Sequence, residues 1–161
     1  MTISVGDKLP VASFAVMGPD GPTQRASADI FDGRTVALFS VPGAYTPTCS
    51  STHLPGFIKN AEALKAKGVD EVICTAVNDI FVLDAWGKAS GMGEHITMLA
   101  DGSATFAKAT GLELDLTEGG LGMRSLRYAM LVVDGTVKVL NIEDDFHNAE
   151  QSSAEALLES L

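Results

Sequence analysis

The chain of 161 residues is short of cysteine, aromatic residues and basic charge, and each shortage excludes something. Two cysteines, Cys49 and Cys74, are too few for a disulfide scaffold and lack the paired spacing of a zinc site, so no metal centre is expected. No apolar run approaches the roughly 18–20 residues that cross a bilayer. Met1 to Phe14 also lacks a basic segment followed by an apolar stretch, so the expectation is a soluble, cytoplasmic protein with no membrane partner. Eleven Lys and Arg against 21 Asp and Glu give a net charge of −10, which sets unfavourable electrostatics against a phosphate backbone. Nucleic acid is not an expected partner. Repeats, low-complexity tracts and charge blocks are missing too, and the Gly/Pro clusters are of turn length. What is present is 46% hydrophobic residues, enough to fill a core, in a length that fits one domain over residues 1–161.

The hydrophobic pattern alternates between strand and helix. Arg34 to Val41 is a short apolar run rich in β-formers that stops at Pro42-Gly43, as a buried strand ending in a turn would. Phe57, Ala61 and Leu64 then recur at helical spacing until Gly68. Glu71 to Val77 is a second buried strand, and Asn78 or Asp79 can cap a helix running to about Gly91. Ile96 to Ala100 is a third strand, with a short helix over Ser103 to Thr110 closed by Gly111. Between Leu126 and Ile142, two β-rich runs flank Asp134-Gly135, a dipeptide suited to a tight hairpin turn. Ser152 with Glu155 reads as a capping box for a C-terminal amphipathic helix. The series predicts an α/β, thioredoxin-like fold: a mixed central sheet, parallel early and antiparallel late, with helices on both faces.

The chemistry concentrates in Val41 to Pro55, VPGAYTPTCSSTHLP, where the first core strand hands over to the first core helix. Ligand sites of open α/β sheets collect at such strand ends. Thr46 suits an N-cap, and Pro47 suits the first helical position because its missing N–H has no partner to lose. Cys49 then falls in the first turn, where unpaired N–H groups and the positive end of the helix dipole favour a thiolate. Thr46 holds the place of the first cysteine in a C-x-x-C frame, so a dithiol exchange site is lacking and a single activated sulfur remains. The plainer reading of a free cysteine is a small buried apolar residue. His53, four residues after Cys49, invites a Cys-His hydrolase pair. Pro55 disturbs the helical register there, and a structural hydrogen bond is the favoured role for His53.

Pro42, Thr46 and Cys49 reproduce the P-x-x-x-T-x-x-C motif, and the string PGAYTPTCSSTHLP resembles the peroxiredoxin-5 or type II subgroup of the peroxiredoxins. The resemblance extends through VGDKLP, GVDEVICTAVND, LADG and GLGMRSLRYAMLVVDGTVKVLNIE. It implies a thiol peroxidase with no bound cofactor that reduces hydrogen peroxide and organic hydroperoxides. Cys49 would be the peroxidatic residue, Thr46 would orient the peroxide and Pro42 would shield the sulfur. Arg127 matches the family's active-site arginine, and Arg124 is a secondary candidate whose ordinary reading is a structural contact. Cys74 reads from its strand as a buried, inert thiol, while the resemblance makes it a possible resolving cysteine. A disulfide to Cys49 requires Cα atoms within about 7 Å. Asn141 to Ser153 contains none of the later cysteine used by another branch of the subgroup, so the expected reductant is external: glutaredoxin with glutathione, or thioredoxin. The resemblance further implies a homodimer. A cysteine hydrolase and a non-catalytic chaperone or redox-signalling module are the competing function classes.

Overall fold

The computed structural model describes residues 1–161. Its first two strands, β1 (Ser13–Gly18) and β2 (Gly21–Ala26), form a hairpin that the sequence pattern does not single out. The runs SFAVMG and GPTQRA lack a long apolar stretch, and pairing supplies the order that propensity does not. A short helix, α1 (Ser27–Phe31), buries Ile30 and Phe31 and leads into β3 (Thr35–Ser40), the first of the expected core strands.

After β3 the chain makes the site loop and one π-helical turn, Cys49–His53, which continues directly into α2 (Leu54–Ala66). Leu54, Phe57, Ala61 and Leu64 face the sheet from α2. Next come β4 (Glu71–Ala76) and α3 (Ile80–Ala89), with Asp79 as the cap: its carboxylate accepts from the Val82 N–H at 2.9 Å. Strand β5 (Thr97–Ala100) and α4 (Thr105–Thr110) follow, and Gly111 closes α4 at φ +73° as expected. A second unforeseen hairpin, β6 (Glu113–Leu116) with β7 (Gly122–Ser125), stands apart from the main sheet. The late hairpin is β8 (Tyr128–Val133) and β9 (Thr136–Ile142), turning at Asp134 (φ 49°) and Gly135 (φ 75°). The last helix is α5 (Ala154–Glu159). Its cap is Ser153, whose hydroxyl accepts from the Ala156 N–H at 3.1 Å; Ser152, the expected cap, is fully buried and bonded to Glu143 instead.

The main sheet runs β2-β1-β5-β4-β3-β8-β9. Strands β3, β4 and β5 are parallel, joined through α2 and α3, whereas β8 lies antiparallel to β3 and β1 antiparallel to β5. This is the mixed, thioredoxin-like arrangement expected from the sequence. The two-residue period of a strand sorts its side chains between the faces. Ala37, Phe39 and Val41 pack with Val72, Cys74 and Ala76 beneath α2, α3 and α5, while Val36, Leu38 and Ile73 join Ile30, Phe31 and Phe106 on the α1 and α4 side. Cys49 lies in the first of these cores. One sheet edge is β2, which carries Pro22; at the other, residues 6–9 lie along the start of β9, with Gly6 N–H donating to the Val137 carbonyl at 2.8 Å and the Asp7 carbonyl accepting from Val137 N–H at 2.9 Å.

Candidate active site

The loop after β3 is shaped by its own polar groups. Ala44 N–H donates to the Asn78 side-chain carbonyl at 2.9 Å, which ties the loop to the start of α3. Tyr45 sits at φ 65°, a left-handed conformation rare for a residue with a Cβ, and its side chain is exposed. This kink delivers Thr46 to the helix start with Pro47 in the first helical position. The Thr46 carbonyl accepts from Ser50 N–H at 3.0 Å, but its hydroxyl does not cap the helix; it donates to the Gly43 carbonyl at 2.6 Å. Its oxygen lone pairs are left to accept from a substrate.

The π turn follows at once. Leu54 N–H reaches back five residues to the Cys49 carbonyl, and Pro55 has no N–H to offer the next carbonyl in the ladder. The register disturbance expected at Pro55 is therefore one widened turn. It leaves Cys49 and His53 both fully buried on the core side.

Arg127, at the entrance to β8, joins the parts. It is 2% exposed. Its Nη2 donates to Cys49 Sγ at 3.1 Å, its Nη1 to His53 Nδ1 at 2.9 Å and its Nε to the Phe146 carbonyl at 3.0 Å. No carboxylate pairs with the guanidinium, since the ion pairs of the molecule lie elsewhere, at Glu71, Asp84 and Asp145. A permanently charged group buried without an anion is costly, and the ionisable sulfur is the partner that can supply one. Three of the five guanidinium N–H groups are committed, which leaves two for an incoming ligand.

His53 is not the base of a Cys-His pair. Its Nε2 lies 2.8 Å from the Ser152 carbonyl, which can only accept, so Nε2 carries the proton and Nδ1 is the acceptor for Arg127. Burial, reinforced by the Arg127 charge, pushes the imidazole down to about 3, so it is neutral at physiological pH. Phe39 and Phe57, stacked at 4.0 Å between ring centres, hold its ring from the side.

Other candidates fall outside this contact set. Arg124 donates from Nε to the Leu121 carbonyl at 2.8 Å and from Nη1 to the Pro42 carbonyl at 3.3 Å, steadying the loop without reaching the sulfur. Cys74 is fully buried in β4 beside Phe39, in the same core as Cys49, and both thiols are free. Burial pushes the Cys74 thiol well up, so it is protonated at neutral pH. No group of three or more His, Cys, Asp or Glu side chains is placed to hold a metal ion.

A cavity of about 180 Å³ opens onto this cluster, lined by Pro42, Thr46, Leu116, Leu121, Arg127 and Phe146 among others. Larger clefts, of about 320 and 340 Å³, lie at Asp79–Asp101 and at the N-terminus, but no cysteine lines either. The sequence reading missed Leu116, Leu121 and Phe146. It also missed the carbonyls of Phe146 and Ser152, and main-chain acceptors leave no mark in side-chain identity.

A buried thiol on a guanidinium, with a threonine hydroxyl at the pocket, narrows the chemistry, and comparison with known proteins decides the family. The redoxin family model matches residues 4–158. Peroxiredoxin-2B of Arabidopsis thaliana is 47% identical over 160 residues, 99% of this chain and 98% of that protein. The chain belongs to the peroxiredoxins. Reduced Prx3 of Vibrio vulnificus, solved in complex with H2O2, superposes with a TM-score of 0.94 at 46% identity, covering 99% of each chain. A Burkholderia cenocepacia structure described as a putative thioredoxin reductase superposes at 0.96 with 43% identity, over 100% of this chain and 99% of that one. Peroxiredoxins are thiol peroxidases, oxidoreductases that act on peroxides, and thiol-dependent peroxide reduction is the chemistry of this chain. In this peroxiredoxin the threonine hydroxyl, the thiol and the guanidinium of the cluster stand on three separate elements: the loop after β3, the π turn and the entrance to β8.

Proposed function

We propose that Cys49 is the peroxidatic residue, with Thr46, Arg127 and Pro42 as its catalytic partners. The observation that carries the reading is the 3.1 Å contact between Cys49 Sγ and a buried guanidinium that has no carboxylate. The thiolate attacks one oxygen of the peroxide, a sulfur–oxygen bond forms and the oxygen–oxygen bond breaks. The sulfur becomes a sulfenic acid, and the departing oxygen takes a proton to leave as water or an alcohol. Thr46 accepts the O–H of the incoming peroxide, because its own proton is spent on Gly43. The uncommitted N–H groups of Arg127 stabilise the charge that develops on the leaving oxygen. Pro42 is buried at the pocket wall and excludes water. Leu116, Leu121 and Phe146 provide an apolar lining that suits organic hydroperoxides as well as hydrogen peroxide.

An external thiol, from glutaredoxin with glutathione or from thioredoxin, returns the sulfenic acid to the thiol. Cys74 is optional in this cycle, being protonated and enclosed in the core. Dependence on such reductants fits the cytoplasm. The exposed Tyr45, Phe81 and Val82, on segments joined by the Ala44–Asn78 hydrogen bond, favour association as a homodimer.

Peroxide consumption measured with each reductant tests the cycle. Cys49→Ser abolishes it with every reductant, while Cys74→Ser retains turnover. Loss of all turnover in Cys74→Ser would overturn the optional role, and full activity in Cys49→Ser would overturn the whole assignment.

A further inference from the structure

The carboxylate of Glu143, just beyond β9, is 7% exposed and makes no ion pair. It serves instead as the hub of the turn before α5. Its Oε2 accepts from the Ser152 N–H at 2.7 Å and from the Ser152 hydroxyl at 2.6 Å. Its Oε1 accepts from the N–H groups of Gln151 at 3.1 Å and Glu150 at 3.3 Å. Burial raises this carboxyl, but the hydrogen bonds from Ser152, Gln151 and Glu150 outweigh that and hold it below the usual carboxylate range. The Ser152 residue so gripped turns its carbonyl to His53 Nε2 at 2.8 Å, and His53 Nδ1 meets Arg127 Nη1 at 2.9 Å.

We propose that Glu143 is a positioning residue for peroxide reduction, acting through Ser152 and His53 to fix the Arg127 guanidinium against Cys49. The proposal rests on the reading of Cys49 and Arg127 given above. Its physical core is the tautomer of His53. A neutral imidazole has one proton, and the Ser152 carbonyl holds it on Nε2. Released from that carbonyl, the ring can carry the proton on Nδ1, where an N–H opposes the Arg127 N–H. Two donors repel, so the guanidinium swings and its Nη2 leaves the sulfur. Protonating both nitrogens offers no escape, since burial and the Arg127 charge keep the ring neutral. The side wall of Phe39 and Phe57 sets the ring plane but cannot choose between the two nitrogens.

Glu143→Gln keeps the shape and places an amide N–H2 where donors now converge. The expected result is a loss in kcat/KM for hydrogen peroxide of about 10- to 100-fold, the scale of a small misplacement of a reacting group. KM for the thiol reductant is unchanged, and Glu143→Asp recovers part of the loss. The decisive readout is 15N NMR of labelled histidine: His53 is a single Nε2–H tautomer in the native protein and a mixture in Glu143→Gln. A purely structural Glu143 would lower the thermal midpoint and leave the tautomer and the rate below that midpoint untouched. A pure Nε2–H tautomer with a rate within about threefold of native overturns the proposal. If Glu143→Gln does not fold, Ser152→Ala, which removes the 2.6 Å bond and keeps the carbonyl, carries the same test with a smaller expected effect. A native protein inert to peroxide would defeat the assignment of Cys49, whereas the tautomer measurement judges Glu143 on its own.

Discussion

Replacing Arg127 with methionine removes the cation and keeps most of the side-chain volume. The native guanidinium gives Cys49 Sγ one charge-assisted hydrogen bond, at 3.1 Å, inside the core. Hydrogen bonds to charged groups contribute about 1.5–3 kcal/mol, and each 1.36 kcal/mol is tenfold in rate, so the rate constant for peroxide attack falls roughly 10- to 150-fold from this contact alone. Loss of the donors to the leaving oxygen adds to that, and removal of a single such donor commonly costs about 100- to 1,000-fold. Arg127→Lys keeps the charge but cannot serve Cys49, His53 and Phe146 together from one ammonium, and falls between the two. Rapid mixing with hydrogen peroxide follows the reaction through Trp86, the sole tryptophan, whose Nε1 donates at 3.0 Å to Ser50 Oγ, next to Cys49 in the chain. An Arg127→Met protein reacting within about threefold of native would refute the account of the site.

Acid lability follows from His53. Its folded value, about 3, lies below the ordinary 6.5, so between these pH values the unfolded chain binds a proton that the folded chain refuses. Stability falls as pH drops through that window, by about 1.4 kcal/mol per pH unit where the difference is complete. Burial raises Glu71, but Arg25, Thr97 and Arg34 outweigh it and hold the carboxylate near 2, so its contribution is present above the ordinary 4.5 and is lost only below that. Urea unfolding of His53→Gln between pH 4.5 and 6.5 should accordingly show a flatter dependence than native, and an equal slope would count against this assignment. Gly111→Ala tests a steric claim: φ is +73°, and a Cβ there would sit 2.5 Å from the Met1 carbonyl and 2.8 Å from Thr2 Cα. The left-handed conformation alone costs about 1–2 kcal/mol, or roughly 2–8 °C in Tm for a chain of this size, and an unchanged Tm would contradict it.

The sequence showed most plainly what side chains encode by themselves. Phe57, Ala61 and Leu64 announce α2, the apolar runs announce β3 and β4, and Asp134-Gly135 announces the late turn. Pro42, Thr46, Cys49 and Arg127 could be singled out from their types and order, and the structure places them around one pocket and one sulfur. The hairpin of β1 and β2 was not legible: Gly21-Pro22-Thr23-Gln24 is strand only because β1 pairs with it. Nor was the shift of the α5 cap from Ser152 to Ser153, since both are serines and the choice is made by Glu143, nine residues upstream of Ser152. His53 was recognised as a neighbour of Cys49 in sequence, yet its partners, Arg127 and the Ser152 carbonyl, are 74 and 99 residues away.

The two margins of the main sheet bear on how copies of this protein can meet. At β2, Pro22 removes a main-chain donor, so a foreign strand finds an interrupted template. At β9, residues 6–9 already occupy the outward groups of Gly135 and Val137. Lengthening the sheet across a subunit boundary is thus blocked at one rim and obstructed at the start of the other. The same plugs disfavour fibre-like stacking of one copy's sheet on the next.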